Sequence, residues 1–197
     1  MTALSYTFPT DFIWGAATAA HLIEGNNVSS DWWAREHSSN TDLSEASNDA
    51  CDSYNRFEED IRLLAASGLR MYRFSIEWAR IEPECGCFSK AQLLHYRRMI
   101  DTCRQYGVEP MVTLYHMTLP LWFAEQGGWR RADAMADGID VRGYLHWSLL
   151  DNYEWGSFRP TFGLIGWDRD TFERHPRPSL DWLGNVSRSG VLSHPSR

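Results

Sequence analysis

The sequence lacks the features of a membrane protein or a nucleic-acid-binding protein. No segment approaches the roughly 20 apolar residues of a membrane-spanning helix, and the N-terminus has neither the cationic start nor the apolar run of a signal peptide. Basic residues are also outnumbered, because the chain has 19 Lys and Arg against 26 Asp and Glu, which gives a net charge of −7. Nucleic acid demands a basic face. We therefore expect a cytoplasmic protein with neither a membrane nor a nucleic-acid partner.

Cysteine is scarce, and its spacing does not suit a metal. The cysteines are Cys51, Cys85, Cys87 and Cys103, which we expect to be reduced thiols in the cytoplasm. Structural zinc sites use cysteine pairs separated by about two to four residues, whereas Cys85 and Cys87 enclose a single glycine. Loop and helix thiols are the favoured interpretation, and metal binding is the alternative. The sequence predicts no metal and no cofactor.

Segments typical of strands alternate along the chain with segments that have the periodicity of helices. The predicted strands cover residues 8–20, 71–76, 111–115 and 141–150. The predicted helices cover residues 49–67, 89–106, 121–138 and part of 171–186. This alternation predicts parallel β/α units. We expect a single domain over residues 1–186 and a flexible tail over residues 187–197.

Four segments carry a family resemblance. Trp147–Trp155 reads WSLLDNYEW and resembles the eighth barrel strand of glycoside hydrolase family 1, the β-glucosidase family. Phe12–Ala20, Tyr72–Trp78 and Val112–His116 are similar to the first, second and third strands of that barrel. The resemblance implies a (β/α) barrel with a sugar site at the C-terminal ends of its strands.

The resemblance has two gaps. The family carries its catalytic glutamates in Asn-Glu-Pro and Thr-Glu-Asn-Gly motifs, and neither motif occurs in this sequence. The fourth to seventh strands also have no counterpart, and the junction falls at Arg130–Asp133. The fold class that follows is α/β, a (β/α) half-barrel of a TIM-barrel glycosidase.

A half-barrel on its own exposes its inner face and both sheet edges. We expect the eighth-like strand to lie beside the third through a right-handed crossover, so that a second copy on a two-fold axis closes a ring of eight strands. The predicted partner is therefore a second copy of the chain, in a homodimer. The alternative is a degraded gene fragment, against which the intact helix caps and glycine stops argue.

Aromatic and polar residues follow the four strands, where barrels collect functional groups. The resemblance implies that His116 and Glu154 bind sugar hydroxyls and that Trp147 and Trp155 flank the sugar ring. Further candidate ligand-binding residues are His21, Glu24 and Asn152. A core tryptophan or a satisfied pocket histidine is the structural alternative for each, but their co-occurrence at strand ends favours a pocket.

The candidate catalytic residues are Glu154, Glu77 and Arg73, of which Arg73 matches the arginine beside the family's nucleophile. Retaining hydrolysis needs two carboxyl groups about 5 to 5.5 Å apart, and one chain lacks the family pair. A symmetric dimer could still bring carboxylates of two chains together.

Three departures from the family predict a more apolar pocket. Leu22 stands where the family has a sugar-binding glutamine, Met117 follows the histidine in place of a tryptophan, and Thr161 replaces an arginine. We expect a small-molecule ligand, either a glycoside or another ring compound. The first hypothesis is retained or repurposed glycoside hydrolase-type acid/base chemistry, and the alternatives are a non-catalytic binder or an inactive remnant.

Overall fold

The computed structural model describes residues 5–126 and 143–193. Its strands are β1 (Ser5–Thr7), β2 (Ile13–Ala17), β3 (Met71–Ser75), β4 (Glu109–Thr113), β5 (Gly143–Trp147), β6 (Ile165–Trp167), β7 (Arg174–Pro176) and β8 (Val191–Ser193). Its helices are α1 (Ala20–Ile23), α2 (Asp31–Glu36), α3 (Ser53–Ser67), α4 (Trp78–Ile81), α5 (Lys90–Gln105), α6 (Leu121–Glu125) and α7 (Pro178–Ser189). None of these helices is long and apolar enough to cross a membrane.

The central sheet has four parallel strands in the order β4-β3-β2-β5. Ala17 lies opposite Arg73 on one side and Trp147 on the other, and Arg73 lies opposite Met111. These residues form one row across the sheet. The strands and their connecting helices confirm the predicted α/β half-barrel, which is open at β4 and β5 within the described residues.

The predicted place of the eighth-like strand was wrong. β5 pairs with β2 over five residues and not with β4. Backbone pairing continues beyond the strand, because the Leu149 N–H donates to the Ala17 carbonyl (3.2 Å) and the Tyr153 N–H to the Leu22 carbonyl (3.1 Å). The segment after β5 is thus hydrogen-bonded to the segment after β2. The eighth and first strands are neighbours in the family barrel as well.

Two long helices cover the outer face of the sheet. α3 buries Ile61 and Leu64 and ends at Gly68, whose φ of 92° is the left-handed conformation of a helix C-cap. α5 begins after Ser89, whose hydroxyl accepts from the Gln92 N–H (3.4 Å), as the capping pattern predicts. The two helices were therefore predictable from their capping residues and their apolar stripes.

The last helix predicted within residues 171–186 is present as α7, which begins at Pro178, a residue favoured at a first helical position. Residues 165–176 before it form the β6–β7 hairpin. The predicted start of the tail at residue 187 is too early, because α7 continues to Ser189 and β8 pairs with β1. Residues 194–197 lie outside the described residues, as does the predicted helix beyond α6.

Candidate functional site

Three aromatic rings lie nearly parallel at the C-terminal end of the sheet. Trp147 ends β5, His116 follows β4, and Trp155 lies in the loop after β5. The ring centroids of His116 and Trp147 are 5.6 Å apart and those of His116 and Trp155 are 6.4 Å apart, with interplanar angles of 19° in both pairs. We call Trp147, His116 and Trp155 the ring wall. The structure thus brings together the three rings that the resemblance placed around a sugar.

Arg73 fixes the orientation and charge state of His116. The Nη2 atom of Arg73 lies 3.1 Å from His116 Nδ1, and Arg73 Nε donates to Thr113 Oγ1 (2.6 Å). Because guanidinium is only a donor, Nδ1 is the acceptor and the ring proton sits on Nε2. Burial lowers the pKa of His116, and the charge of Arg73 lowers it further. The ring wall therefore contains a neutral imidazole with an N–H donor at Nε2.

Glu154 supplies the acidic group of the site. Its side chain is half-buried, its Oε2 is buried without a hydrogen-bond partner among the described residues, and the Trp147 side chain donates to the carboxylate. Burial raises the pKa of Glu154, and the bond from Trp147 partly opposes that effect. An unpaired buried acceptor costs free energy unless a ligand donates to it. Glu154 Oε2 is thus suited to accept a hydroxyl.

Trp155 is held by residues behind the ring wall. The His21 ring stacks on it at 6.1 Å and 13°, and the Trp32 ring meets it edge-on at 4.7 Å. His21 Nε2 lies 2.8 Å from Glu36 Oε1, and Asn27 Nδ2 donates to His21 Nδ1 (3.1 Å). His21 is buried, so its contacts support Trp155 rather than reach a ligand.

Glu77 and Glu24 are engaged inside the protein. Glu77 is 2% exposed, caps α4 by accepting from the Ala79 N–H, and accepts from Thr118 Oγ1 (2.9 Å). Burial raises its pKa to about 8, and the nearby charge of Glu24 adds to the shift. Glu24 accepts from Arg80 Nε (2.9 Å) and Tyr96 Oη (3.0 Å). Both acids therefore stabilise the fold and do not face a ligand.

Asn152 also has a role in the chain fold. Its Nδ2 donates to Ser148 Oγ (2.8 Å) and the Leu150 carbonyl (3.2 Å), which closes the turn after β5. Trp32 and Glu36 were not predicted from the sequence, because they lie between residues 20 and 49, where no strand or helix is predicted. The Ser30 N-cap, whose hydroxyl accepts from Trp33 N–H, is the local signal that starts α2 there.

Within residues 5–126 and 143–193, no group of three or more His, Cys, Asp or Glu side chains is placed to hold a metal ion. The site consists of rings, one carboxyl group, one neutral imidazole and a guanidinium. Such a set can bind a polar ring compound through its faces and its hydroxyls.

Residues 4–134 and 130–190 match the sequence profile of glycosyl hydrolase family 1. The chain belongs to this family. The two matched stretches overlap at residues 130–134, the place where the resemblance predicted a junction.

Similarity to individual family members is partial in length. Beta-glucosidase A of Acetivibrio thermocellus is 41% identical over 134 residues, which are 64% of this chain and 30% of that protein. The solved beta-glucosidase of Thermotoga maritima in complex with deoxynojirimycin is 40% identical over 62% of this chain and 30% of its own, with a TM-score of 0.59. The beta-glycosidase from Pyrococcus horikoshii aligns over 96% of each chain with a TM-score of 0.86 and, at 20% identity, shows the fold alone. The chain spans about 30% of the length of the curated relatives it matches.

Proposed function

We propose that this family 1 half-barrel binds the ring of a small glycoside on the ring wall without hydrolysing it. The observation that carries the proposal is the joint placement of three nearly parallel rings and the unpaired Oε2 of Glu154. Pyranose rings present apolar C–H faces to aromatic rings and hydroxyl donors to carboxylates. The His116 Nε2–H adds a donor for a ring oxygen or hydroxyl.

The Thermotoga maritima relative supports this choice of ligand, because its structure contains deoxynojirimycin. Two differences from the family favour a less polar ligand for the present chain. Leu22, at the position of the family glutamine, is fully buried. Met117, which follows His116 in the sequence, is 63% exposed. A ligand with an apolar aglycone, such as an aryl β-glucoside, fits this composition better than a free sugar does.

Binding is favoured over hydrolysis because, within residues 5–126 and 143–193 of one chain, the other candidate acids are engaged away from the ring wall. Glu77 and Glu24 are held by Thr118, Arg80 and Tyr96, which leaves Glu154 as the candidate acid that faces the rings. A retaining mechanism needs two carboxyl groups, one as nucleophile and one as acid/base. The second candidate function is repurposed chemistry in which Glu154 acts as a general acid, and the raised pKa of Glu154 favours it.

Replacing Glu154 with glutamine should weaken binding of deoxynojirimycin or phenyl β-glucoside by about 10- to 100-fold, because a charged hydrogen bond contributes about 1.5 to 3 kcal/mol. Thermal stability should change little, since Oε2 has no partner among the described residues that would be left unpaired. Ligand-induced shifts in melting temperature measure both effects. Glu58→Gln, on the exposed face of α3, is the matched control and should leave binding unchanged. Full ligand response in a folded Glu154→Gln protein would remove Glu154 from the site.

A second copy of the chain is the partner that we propose for the open barrel. Each copy has four parallel strands, half of the usual eight, and its two edges are parallel strands of five residues. A two-fold axis along the barrel would set β5 of each copy against β4 of the other. Around β4 the chain exposes Met111, Leu114, Tyr115 and Met117. Closure would cover them and place the two ring walls in one interior, so each copy would complete the other's site.

Light scattering at micromolar concentration should therefore give about twice 22.8 kDa. Leu114→Asp should give monomers, because Leu114 is 73% exposed beside the β4 edge and a charge there would be buried on closure. Val28→Asp is the control, because Val28 is an exposed loop residue outside the sheet, and this variant should remain a dimer. A stable wild-type monomer would contradict the proposed homodimer. It would favour a different partner, a separate chain that carries the missing strands.

A cytoplasmic setting is part of the proposal. All four cysteines are free thiols, which suits a reducing compartment.

A further inference from the structure

The loop between α4 and α5 carries two thiols that glycoside binding does not use. Cys85 and Cys87 are free and exposed, whereas Cys51 and Cys103 are free and buried. Gly86 separates the exposed pair, and an added Cβ at Gly86 would meet no atom within 4 Å. The pair therefore lies open to small molecules.

The backbone bends between the two cysteines. The Cys87 N–H donates to the Glu84 carbonyl (2.9 Å), and Gly86 has a φ of 78°, so residues 84–87 form a tight turn. Consecutive Cα atoms are about 3.8 Å apart, and a bend at the middle residue brings the outer two to roughly 5 to 6 Å. This separation is within the range of about 4.4 to 6.8 Å that disulfides use.

The turn is fixed independently of any disulfide. Glu82 Oε1 accepts from the Gly86 N–H (2.8 Å) and Oε2 accepts from Trp78 Nε1 (2.7 Å). The Glu82 carbonyl accepts from Trp122 Nε1 (2.9 Å). Because these bonds set the backbone, joining the two thiols requires side-chain rotation rather than refolding of the loop.

We propose that Cys85 and Cys87 form a reversible intramolecular disulfide and make this loop a redox modification site. One thiolate attacks a small-molecule disulfide such as glutathione disulfide, whose S–S bond breaks and releases one small thiol. The second thiolate then attacks the mixed disulfide at the protein sulfur and displaces the other small thiol. In balance, two protein thiols are oxidised, one small disulfide is reduced, and both protons pass to the released thiols. Excess reduced thiol reverses both steps.

The buried cysteines serve as internal controls. Burial raises the pKa of Cys103 to about 12 and also raises the pKa of Cys51. Only thiolates react at an appreciable rate, so both should stay unmodified while the chain is folded.

The test is intact-mass and peptide analysis of the full chain after equilibration with glutathione disulfide. The wild type should lose two hydrogens, carry no glutathione, and show Cys85 linked to Cys87. Cys85→Ser and Cys87→Ser should each gain one glutathione on the remaining cysteine, because the second attack is missing. Reduced glutathione in excess should restore the free thiols of the wild type. Two bound glutathiones on the wild type, no modification, or a disulfide between two chains would overturn the proposal. None of these outcomes depends on whether the ring wall binds a glycoside.

Discussion

Replacing Arg174 with methionine should lower the free energy of unfolding by about 3 to 5 kcal/mol, the usual cost of breaking a buried ion pair from one side. The side chains of Arg174 and Asp60 are almost fully buried. Arg174 Nε and Nη2 donate to the two oxygens of Asp60 (2.8 and 3.2 Å), and Nη1 donates to the Cys51 carbonyl (3.0 Å). The substitution would leave Asp60 charged in the core and release the β6–β7 hairpin from α3. Urea titration gives the free energy directly.

Two further variants make this result specific. Arg169→Met breaks the exposed pair with Glu45 and should cost less than about 1 kcal/mol. The double variant Asp60→Leu with Arg174→Met should recover much of the lost stability, because no buried charge remains unpaired. Equal losses in the Arg174 and Arg169 variants would contradict the assignment of the buried pair as the anchor of the hairpin.

Glu77 should make the protein less stable as pH rises from about 4.5 to about 8. Burial raises its folded-state pKa to about 8 from the ordinary 4.5, so the folded protein keeps a proton that the unfolded chain releases. The stabilisation is complete below pH 4.5 and is lost as pH approaches 8, with a total on the order of a few kcal/mol. Arg80 pairs with Glu24, and its charge lowers the pKa of Glu77 less than burial raises it.

Glu77→Gln removes this titration, because glutamine resembles the protonated acid. The free energy of unfolding, measured by urea titration at pH 5 to 8.5, should be flatter in this variant than in the wild type. The difference between the two curves isolates Glu77 from His95, whose pKa burial lowers to about 4 and which titrates in both proteins. Glu58→Gln should retain the wild-type slope. An identical slope in Glu77→Gln would show that Glu77 is ionised in the folded state at neutral pH.

The strand ends of the fold were predictable, but the direction of their side chains was not. The motifs located β2, β3 and β5, and Gly68 and Ser89 marked helix boundaries through local backbone chemistry. Glu77 follows β3 directly and Glu154 lies in the loop after β5, so both were candidates for the site, yet Thr118 and Tyr96 draw the side chain and backbone of Glu77 into the interior from distant segments. Such contacts depend on tertiary packing, and no local pattern encodes them.

Edge position explains one other difference. β4 begins at Glu109 and includes Pro110, ahead of the predicted start at Met111, because proline is tolerated in an edge strand. The pairing of Met71 with Glu109 starts the strand two residues before its apolar part. The buried pair of Arg174 was not predicted from the sequence, because its partner Asp60 is 114 residues away in the chain. Partners that far apart are set by the fold and not by neighbouring residues.

Isothermal titration calorimetry with phenyl β-glucoside tests the central claim most directly, because it detects binding and turnover in one experiment. The ring wall and Glu154 should give injection heats that saturate at one ligand per chain. The baseline should return after each injection, since both motifs that carry the family's catalytic glutamates are absent from the sequence. A sustained heat flow that grows with ligand concentration would reveal turnover and contradict a non-hydrolytic site. The absence of any saturable heat would contradict the ring wall as a binding site.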